Sequence, residues 1–315
     1  MESVLSRCES KKESDMQMTL KPQSERSKGI VCIIFSAFCF ATMNLFINLA
    51  GELPTWQKGF FRNAVALIFA SVILFRERKK PGMRITKKNI WLLLGRATAG
   101  TIGFLCNFYC VDRMNISDAS MLNKLAPFFT LIFSAMFLKE KAKWYQWTAV
   151  VIAFLGSLLI VKPSFGMETF PAFLGVIGGL GAGIAYTCVR KLGSMGVGGA
   201  LIVFFFSAFS VVTLGPVVAL TYVPMTGLQW LFLLCTGLAA SGGQFFVTAA
   251  YTHAPAKEIS VYDYSQVIFA TIWGMIFLGQ QPDIYSVLGY IIIVGVAVWM
   301  YLMNKRDDRV NKKAD

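Results

Sequence analysis

The sequence predicts an all-α integral membrane protein of ten transmembrane helices, arranged as two inverted five-helix repeats. Three observations carry that expectation. The chain is 56% hydrophobic and only 15% charged over 315 residues, too little polar surface to cover a water-soluble globule. Its apolar residues fall into ten runs close to the roughly 20 residues that a helix needs to cross the hydrocarbon. Its 30 Lys and Arg gather in short segments between those runs, which is the positive-inside pattern of a membrane protein rather than a nucleic-acid surface.

The elements follow in order. Residues 1–28 carry six Lys/Arg and five Asp/Glu without an apolar core, so they read as a flexible cytosolic tail and not as a signal peptide. The spans are expected at 29–50, 55–75, 90–111, 116–138, 145–161, 170–190, 199–220, 228–253, 258–278 and 284–303, followed by a basic tail over 304–315. Only Asp112, Arg113, Met114 and Asn115 separate the third span from the fourth, and only Ala254, Pro255, Ala256 and Lys257 the eighth from the ninth. Both are tight helical hairpins. With the N-terminus inside, 24 Lys/Arg lie on the cytosolic side and three, Lys58, Arg113 and Lys162, on the other. That bias predicts a multi-pass protein of the plasma membrane with both termini cytoplasmic.

A shift of 140 residues lays Asp118-Ala-Ser120 on Glu258-Ile-Ser260, Phe129 on Phe269, Ile132 on Ile272 and Phe137-Leu138 on Phe277-Leu278. The identities are few, but hairpin lengths and span order agree with them, so the halves 29–163 and 164–303 read as repeats. Five spans is an odd number, so the second half must be upside down relative to the first. Inverted repeats around a midplane site are a common plan in secondary transporters.

Short motifs point the same way. Asn107-Phe-Tyr-Cys-Val111, Ser117-Asp-Ala-Ser120, Leu122-Asn-Lys-Leu-Ala-Pro127 and Phe137-Leu-Lys-Glu140 resemble the first-repeat signature of the drug/metabolite transporter superfamily, EamA type. The second copy is similar: Ala250-Tyr, then Tyr264-Ser-Gln-Val-Ile-Phe-Ala270, then Phe277-Leu-Gly-Gln-Gln-Pro282 and a last helix with Gly289 and Gly295. The resemblance covers residues 29 to 303 and implies a ten-helix fold carrying small organic solutes. Two departures stand out. The acid usual after the ninth span is Gln280 here, and the position matching Pro127 is Val267. The first is expected to bear on loop capping or gating rather than on substrate chemistry.

Polar residues inside spans are costly, so they mark the candidate site. Lys124 lies about 12 Å into the fourth span at the helical rise, deep for a snorkelling lysine. Pro127 withholds an amide from the carbonyl of Asn123 and predicts a kink or gate there. Asp263 in the ninth span matches Asn123 under the repeat shift, and Tyr264 matches Lys124. Asp263 is expected to accept a proton or cation, or to partner a cavity cation, with Tyr264 and Gln266 orienting a solute. The competing reading is a boundary carboxylate reaching water. Asn44, Asn107 and Gln244 complete the cavity candidates, although such amides also hold helices together. Arg62 and Arg96 stand near the ends of their spans and read as snorkelling to the headgroups. Gly179 and Gly183 have the spacing of close helix approach.

These features predict a secondary transporter of a small, amino-acid-like or carboxylate-bearing metabolite, working by alternating access. A coupling proton or cation and the lipid bilayer are its further expected partners, with no nucleic acid. A passive channel or facilitator is the main alternative. An intramembrane enzyme is the weakest, since His253 is the only histidine and the chain holds no GxSxG, HExxH or Walker motif. The seven cysteines form no CxxC pair, and no cofactor or metal is implied.

Overall fold

A computed structural model of the chain describes residues 27–79, 82, 85–137, 143–161, 169–253 and 260–314, and every regular element among them is helical. All but Ser27 and Lys28 of the expected N-terminal tail, together with Glu140 and the turn Ala254 to Lys257, lie outside the described residues. The helices are α1 (Ser27–Leu49), α2 (Thr55–Glu77), α3 (Ile90–Arg113), α4 (Ile116–Asn123), α5 (Ala126–Phe137), α6 (Trp144–Val161), α7 (Thr169–Ser194), α8 (Gly199–Leu220), α9 (Gly227–His253), α10 (Ser265–Leu278) and α11 (Ile284–Ala314). A 3-10 turn, Ser260–Tyr264, leads into α10.

Among the described residues, eight stretches are long and apolar enough to cross a membrane, counting α4 and α5 together as Ile116–Phe137. The shorter apolar helices α6 and α10 occupy the places expected of the fifth and ninth spans. The protein is therefore an all-helical, multi-pass membrane protein. Helices suit that solvent because each satisfies its own backbone polar groups where no water is present. The outer surface agrees, with Phe69, Trp91, Val151, Leu220 and Ile276 among its exposed apolar side chains.

Packing pairs α3 with α7, α2 with α8, α6 with α11, and α4 with α10. α2 also packs on α9, and α3 on α8. Glycine makes the tightest of these contacts possible. A Cβ on Gly181 would stand 2.8 Å from the carbonyl oxygen of Ala99 and 2.9 Å from the Cα of Gly103, so α3 and α7 touch backbone to backbone. Further along α7, a Cβ on Gly179 would meet the Leu122 carbonyl at 2.9 Å and one on Gly183 the Phe129 Cβ at 2.5 Å. The expected close approach at these two residues is thus made to α4 and α5.

Side-chain ties define two faces. On the face that carries the chain ends, Tyr145 Oη donates to Asn304 Oδ1 at 2.8 Å and Gly198 N–H to the Gly82 carbonyl at 3.1 Å. The opposite face is sewn more densely. Gln57 Nε2 donates to the Val223 carbonyl at 2.9 Å while its Oε1 accepts the Val223 N–H at 3.0 Å. Trp56 Nε1 donates to Thr221 Oγ1 at 2.9 Å, and Gln229 Nε2 to the Ala50 carbonyl at 3.1 Å.

Gln280 belongs to this closure. Gly279, at φ +62°, ends α10 in the left-handed conformation, and the Gln280 N–H returns to the Gly274 carbonyl at 3.0 Å. The Gln280 side chain then accepts the Ile116 N–H at 2.9 Å and so caps α4 from another helix. A carboxamide keeps one acceptor oxygen for this bond, while it lacks the charge of a carboxylate and carries an NH2 donor in place of the second oxygen.

Candidate functional site

The fourth span is broken where the sequence placed its polar patch. α4 stops at Asn123, and the Lys124 N–H is shared between the carbonyls of Ser120 and Met121 at 3.2 and 3.0 Å, a tightening typical of a helix end. Pro127 is the second residue of α5, inside the first turn, where its missing N–H is not needed. The chain therefore turns at Lys124 and Leu125, just before the proline. The 3-10 turn ending in Tyr264 breaks the chain at the matching point ahead of α10.

The two breaks meet. Lys124 Nζ donates to Asp263 Oδ2 at 2.5 Å, and Tyr264 Oη donates to the Lys124 carbonyl at 3.3 Å. The two charged candidates of the site thus form one ion pair, Lys124 almost fully buried and Asp263 partly exposed. Gln266, the second residue of α10, is buried. Asn44 Nδ2 donates to Ser120 Oγ at 3.1 Å and Asn107 Nδ2 to the Ala119 carbonyl at 3.4 Å. Both amides hold α4 in place from α1 and α3. Asn123, the last residue of α4, is half-buried beside the ion pair.

Gln244 lies elsewhere, on the wall of a cavity of about 360 Å³ between α2, α8 and α9. This cavity starts at Arg62, Phe206 and Ser207 and extends to Glu77, Gly199 and Ala249 near the face that carries the chain ends. Around Phe206, which lines its inner end, two residues depart from the sequence expectation. Arg62 and Arg96 do not snorkel: both are buried, and their guanidinium groups sit 5.7 and 4.3 Å from the ring centre of Phe206. Contact with an aromatic face stabilises a desolvated cation and holds it inside the bundle.

Tyr186 of α7 joins them. It is half exposed, yet it lies within Coulombic range of Arg62, Arg96 and Asp263, which come from three other elements. Its accessible surface therefore faces the interior of the bundle. Tyr186 also follows Gly183 by one turn, on the face that α7 turns toward α5.

Two more charged groups emerge. Lys58, counted at the sequence level as a loop cation, has no exposed surface; its Nζ donates to Asp112 Oδ1 at 2.7 Å and to the Ile47 carbonyl at 2.9 Å. Asp118 of α4 is buried and accepts the hydroxyl proton of Tyr290. The signal available in the sequence was the mere presence of a charge within or beside a span, without a direction. Among the described residues no group of His, Cys, Asp and Glu could hold a metal ion.

The comparisons with known proteins agree with this architecture. Residues 27–162, and separately residues 169–302, match the profile of the EamA-like transporter family. The chain is 28% identical to the pseudopaline exporter CntI of Pseudomonas aeruginosa, over 84% of this chain and 93% of that one. It is 28% identical to human solute carrier family 35 member G1 over 84% of this chain and 76% of that one. It is 21% identical to a riboflavin transporter of Rhizobium johnstonii over 89% of this chain and 93% of that one. A solved crystal structure shares the fold with a TM-score of 0.63 at 16% identity, covering 89% of this chain and 98% of that one. Since the two profile matches follow one another and together take in most of the sequence, the chain belongs to the EamA-like transporter family.

Proposed function

We propose that this protein is a secondary transporter that moves a small, carboxylate-bearing organic metabolite across the plasma membrane by alternating access between two inverted five-helix halves, with both termini cytoplasmic. The observation that carries the reading is the unequal closure of the bundle. The cavity extends from Arg62 toward the face with the chain ends, while the opposite face is sealed by ties at Trp56, Gln57, Gln229 and Gln280. Each of those ties joins a residue of 29–163 to one of 164–303. A rocking motion of one half against the other would break them and remake contacts on the other face.

The packing pattern supports the repeat. Exchanging the halves carries the contact of α2 with α9 onto that of α8 with α3, and leaves α2 with α8, α6 with α11 and α4 with α10 unchanged. Relatives named for exporting pseudopaline and transporting riboflavin favour an organic cargo, and the first of them favours export. The Lys124–Asp263 pair sits where the two halves cross, as expected of a group that binds cargo or a coupling proton in one state and pairs internally in the other.

Proteoliposomes loaded with a defined mixture of organic acids and amino acids test this. The readout is solute exit, followed by mass spectrometry, with a Gln57→Cys/Val223→Cys variant bridged by a bifunctional thiol reagent. Transport predicts exit of a subset of solutes, stopped by the bridge and restored when a cleavable bridge is cut. Exit that continues through the bridged protein would point to a channel instead.

A further inference from the structure

Two cations meet inside the bundle with no carboxylate paired to either among the described residues. Arg62 and Arg96 are 5% and 8% exposed and come from neighbouring helices. Their guanidinium carbons lie 5.7 and 4.3 Å from the centre of one ring, that of Phe206, so they are within about 10 Å of each other, where like charges repel appreciably in a low-dielectric interior. Neither takes part in a salt bridge among the described residues: Asp263 is held by Lys124, and Asp112 by Lys58. Arg62 Nη1 donates to Asn63 Oδ1 at 2.7 Å, but Nε of both arginines is buried without an acceptor.

The contrast with Lys58 is informative. A buried cation needed only for packing has its acceptors in place, as Lys58 does with a carboxylate and a carbonyl. Two arginines with idle donors are a site awaiting an anion, because a planar guanidinium presents paired donors that match an oxyanion in geometry as well as charge. The cavity reaches Arg62 and Phe206 and brings Ser207, whose buried hydroxyl also has no partner, to the same end. Tyr186, a half-exposed residue close enough to interact electrostatically with both arginines, adds a neutral hydroxyl to the same region.

We propose that Arg62 and Arg96 form the anion subsite of the transported molecule and take a carboxylate or phosphate oxyanion, while the less polar body of that molecule lies along Phe206 and the apolar wall of the cavity. This deepens the transport reading and rests on it for the word cargo; binding itself does not depend on flux. An anionic lipid headgroup offers the same oxyanion from a second source, entering between the helices rather than from water.

The test is thermal unfolding of the full-length protein in phosphatidylcholine nanodiscs, with glutarate, glutamate or inorganic phosphate compared with chloride at matched ionic strength, and glutaramide as the neutral counterpart of glutarate. A parallel arm uses phosphatidylglycerol nanodiscs without added anion. The expected result is a saturable rise in Tm with at least one of the soluble oxyanions and none with glutaramide, since a ligand of the folded state raises its apparent stability. Arg62→Gln and Arg96→Gln should each weaken the apparent affinity by at least about tenfold, as loss of a charge-assisted contact does. Arg96→Lys should recover part of it. Without anion, the Gln variants should unfold no lower than the parent, which distinguishes lost binding from lost folding. A Tm response that is absent from the parent, or equal in the Arg62→Gln/Arg96→Gln double variant, overturns the proposal. A rise produced by phosphatidylglycerol alone assigns the subsite to lipid and overturns it as well. If oxyanion binding holds while solute exit fails, the transport reading falls and the subsite stands.

Discussion

Lys58 and Arg62 are one helical turn apart on α2, and they carry opposite lessons about a charge inside a membrane protein. Lys58 is tied down by Asp112 and by the Ile47 carbonyl, so it joins α1, α2 and α3 at the closed face. Removing one member of such a buried pair strands the other. Lys58→Met is expected to lower stability by about 3 kcal/mol, measured by denaturant titration of the purified protein in detergent micelles. The double variant Lys58→Met/Asp112→Leu should regain most of that loss, because two apolar groups leave no charge unpaired. If the double variant were as unstable as the single one, packing and not the ion pair would be holding this corner. Arg62 has no such partner, and its burial shows where sequence reasoning stopped. Depth along a span can be counted, but direction around the helix is read from the contrast between apolar and polar faces. Along α2 the residues Lys58, Arg62, Ala66 and Ala70 recur at i,i+4 spacing on the buried face, while Ile68, Val72 and Phe75 are exposed. The stripe of polar and small residues thus pointed Arg62 inward, and its place near the span end was the misleading cue. Lys124 stood out because it lies deep within its expected span, and Asp263 because the repeat shift lays it on Asn123, the neighbour of Lys124.

At the scale of elements, the spans were legible because hydrocarbon imposes a length and leaves helix as the form. The expected and observed bounds of the seventh span coincide at Gly199 and Leu220, and the others differ mainly where a helix runs on into polar sequence, as α11 does to Ala314. The break between α4 and α5 was foreshadowed by Pro127, yet its position was set by the carbonyls that Lys124 could reach and by Tyr264 arriving from the other half. α7 permits a test within a single helix. At Gly181 an added methyl meets the backbone of α3 at 2.8 and 2.9 Å, and backbone cannot yield as a side-chain tip can. Gly181→Ala is therefore expected to destabilise by about 1–3 kcal/mol, the usual range for overpacking. At Gly193, the penultimate residue of α7, a Cβ would meet no atom within 4 Å, and Gly193→Ala should stabilise by about 0.5–1 kcal/mol through helix propensity. Opposite signs in thermal melts of the two variants are the expected outcome. A loss of stability at Gly193 would mean that propensity is not what that position feels.

On the alternating-access reading proposed above, the ties at one face would hold the two halves in one of two arrangements. Gln57 is central to those ties because a single side chain both donates to and accepts from the backbone of Val223, across the two halves. Each such hydrogen bond contributes about 0.5–1.5 kcal/mol net, so Gln57→Ala should shift the balance between the two access states by about 1–3 kcal/mol, or roughly five- to 150-fold. The shift is read with a cysteine placed at Val203, a half-buried cavity residue one turn from Phe206, in a background from which the seven native cysteines have been removed. A membrane-impermeant maleimide should label Val203→Cys readily from the face with the chain ends and slowly from the opposite face. Adding Gln57→Ala should speed labelling from the opposite face and slow it from the first, since the two states draw on one population. A pore would behave differently, because loosening one end leaves access from the other unchanged. Labelling that rises at one face without falling at the other would therefore rule out alternating access and leave the cavity as a conduit.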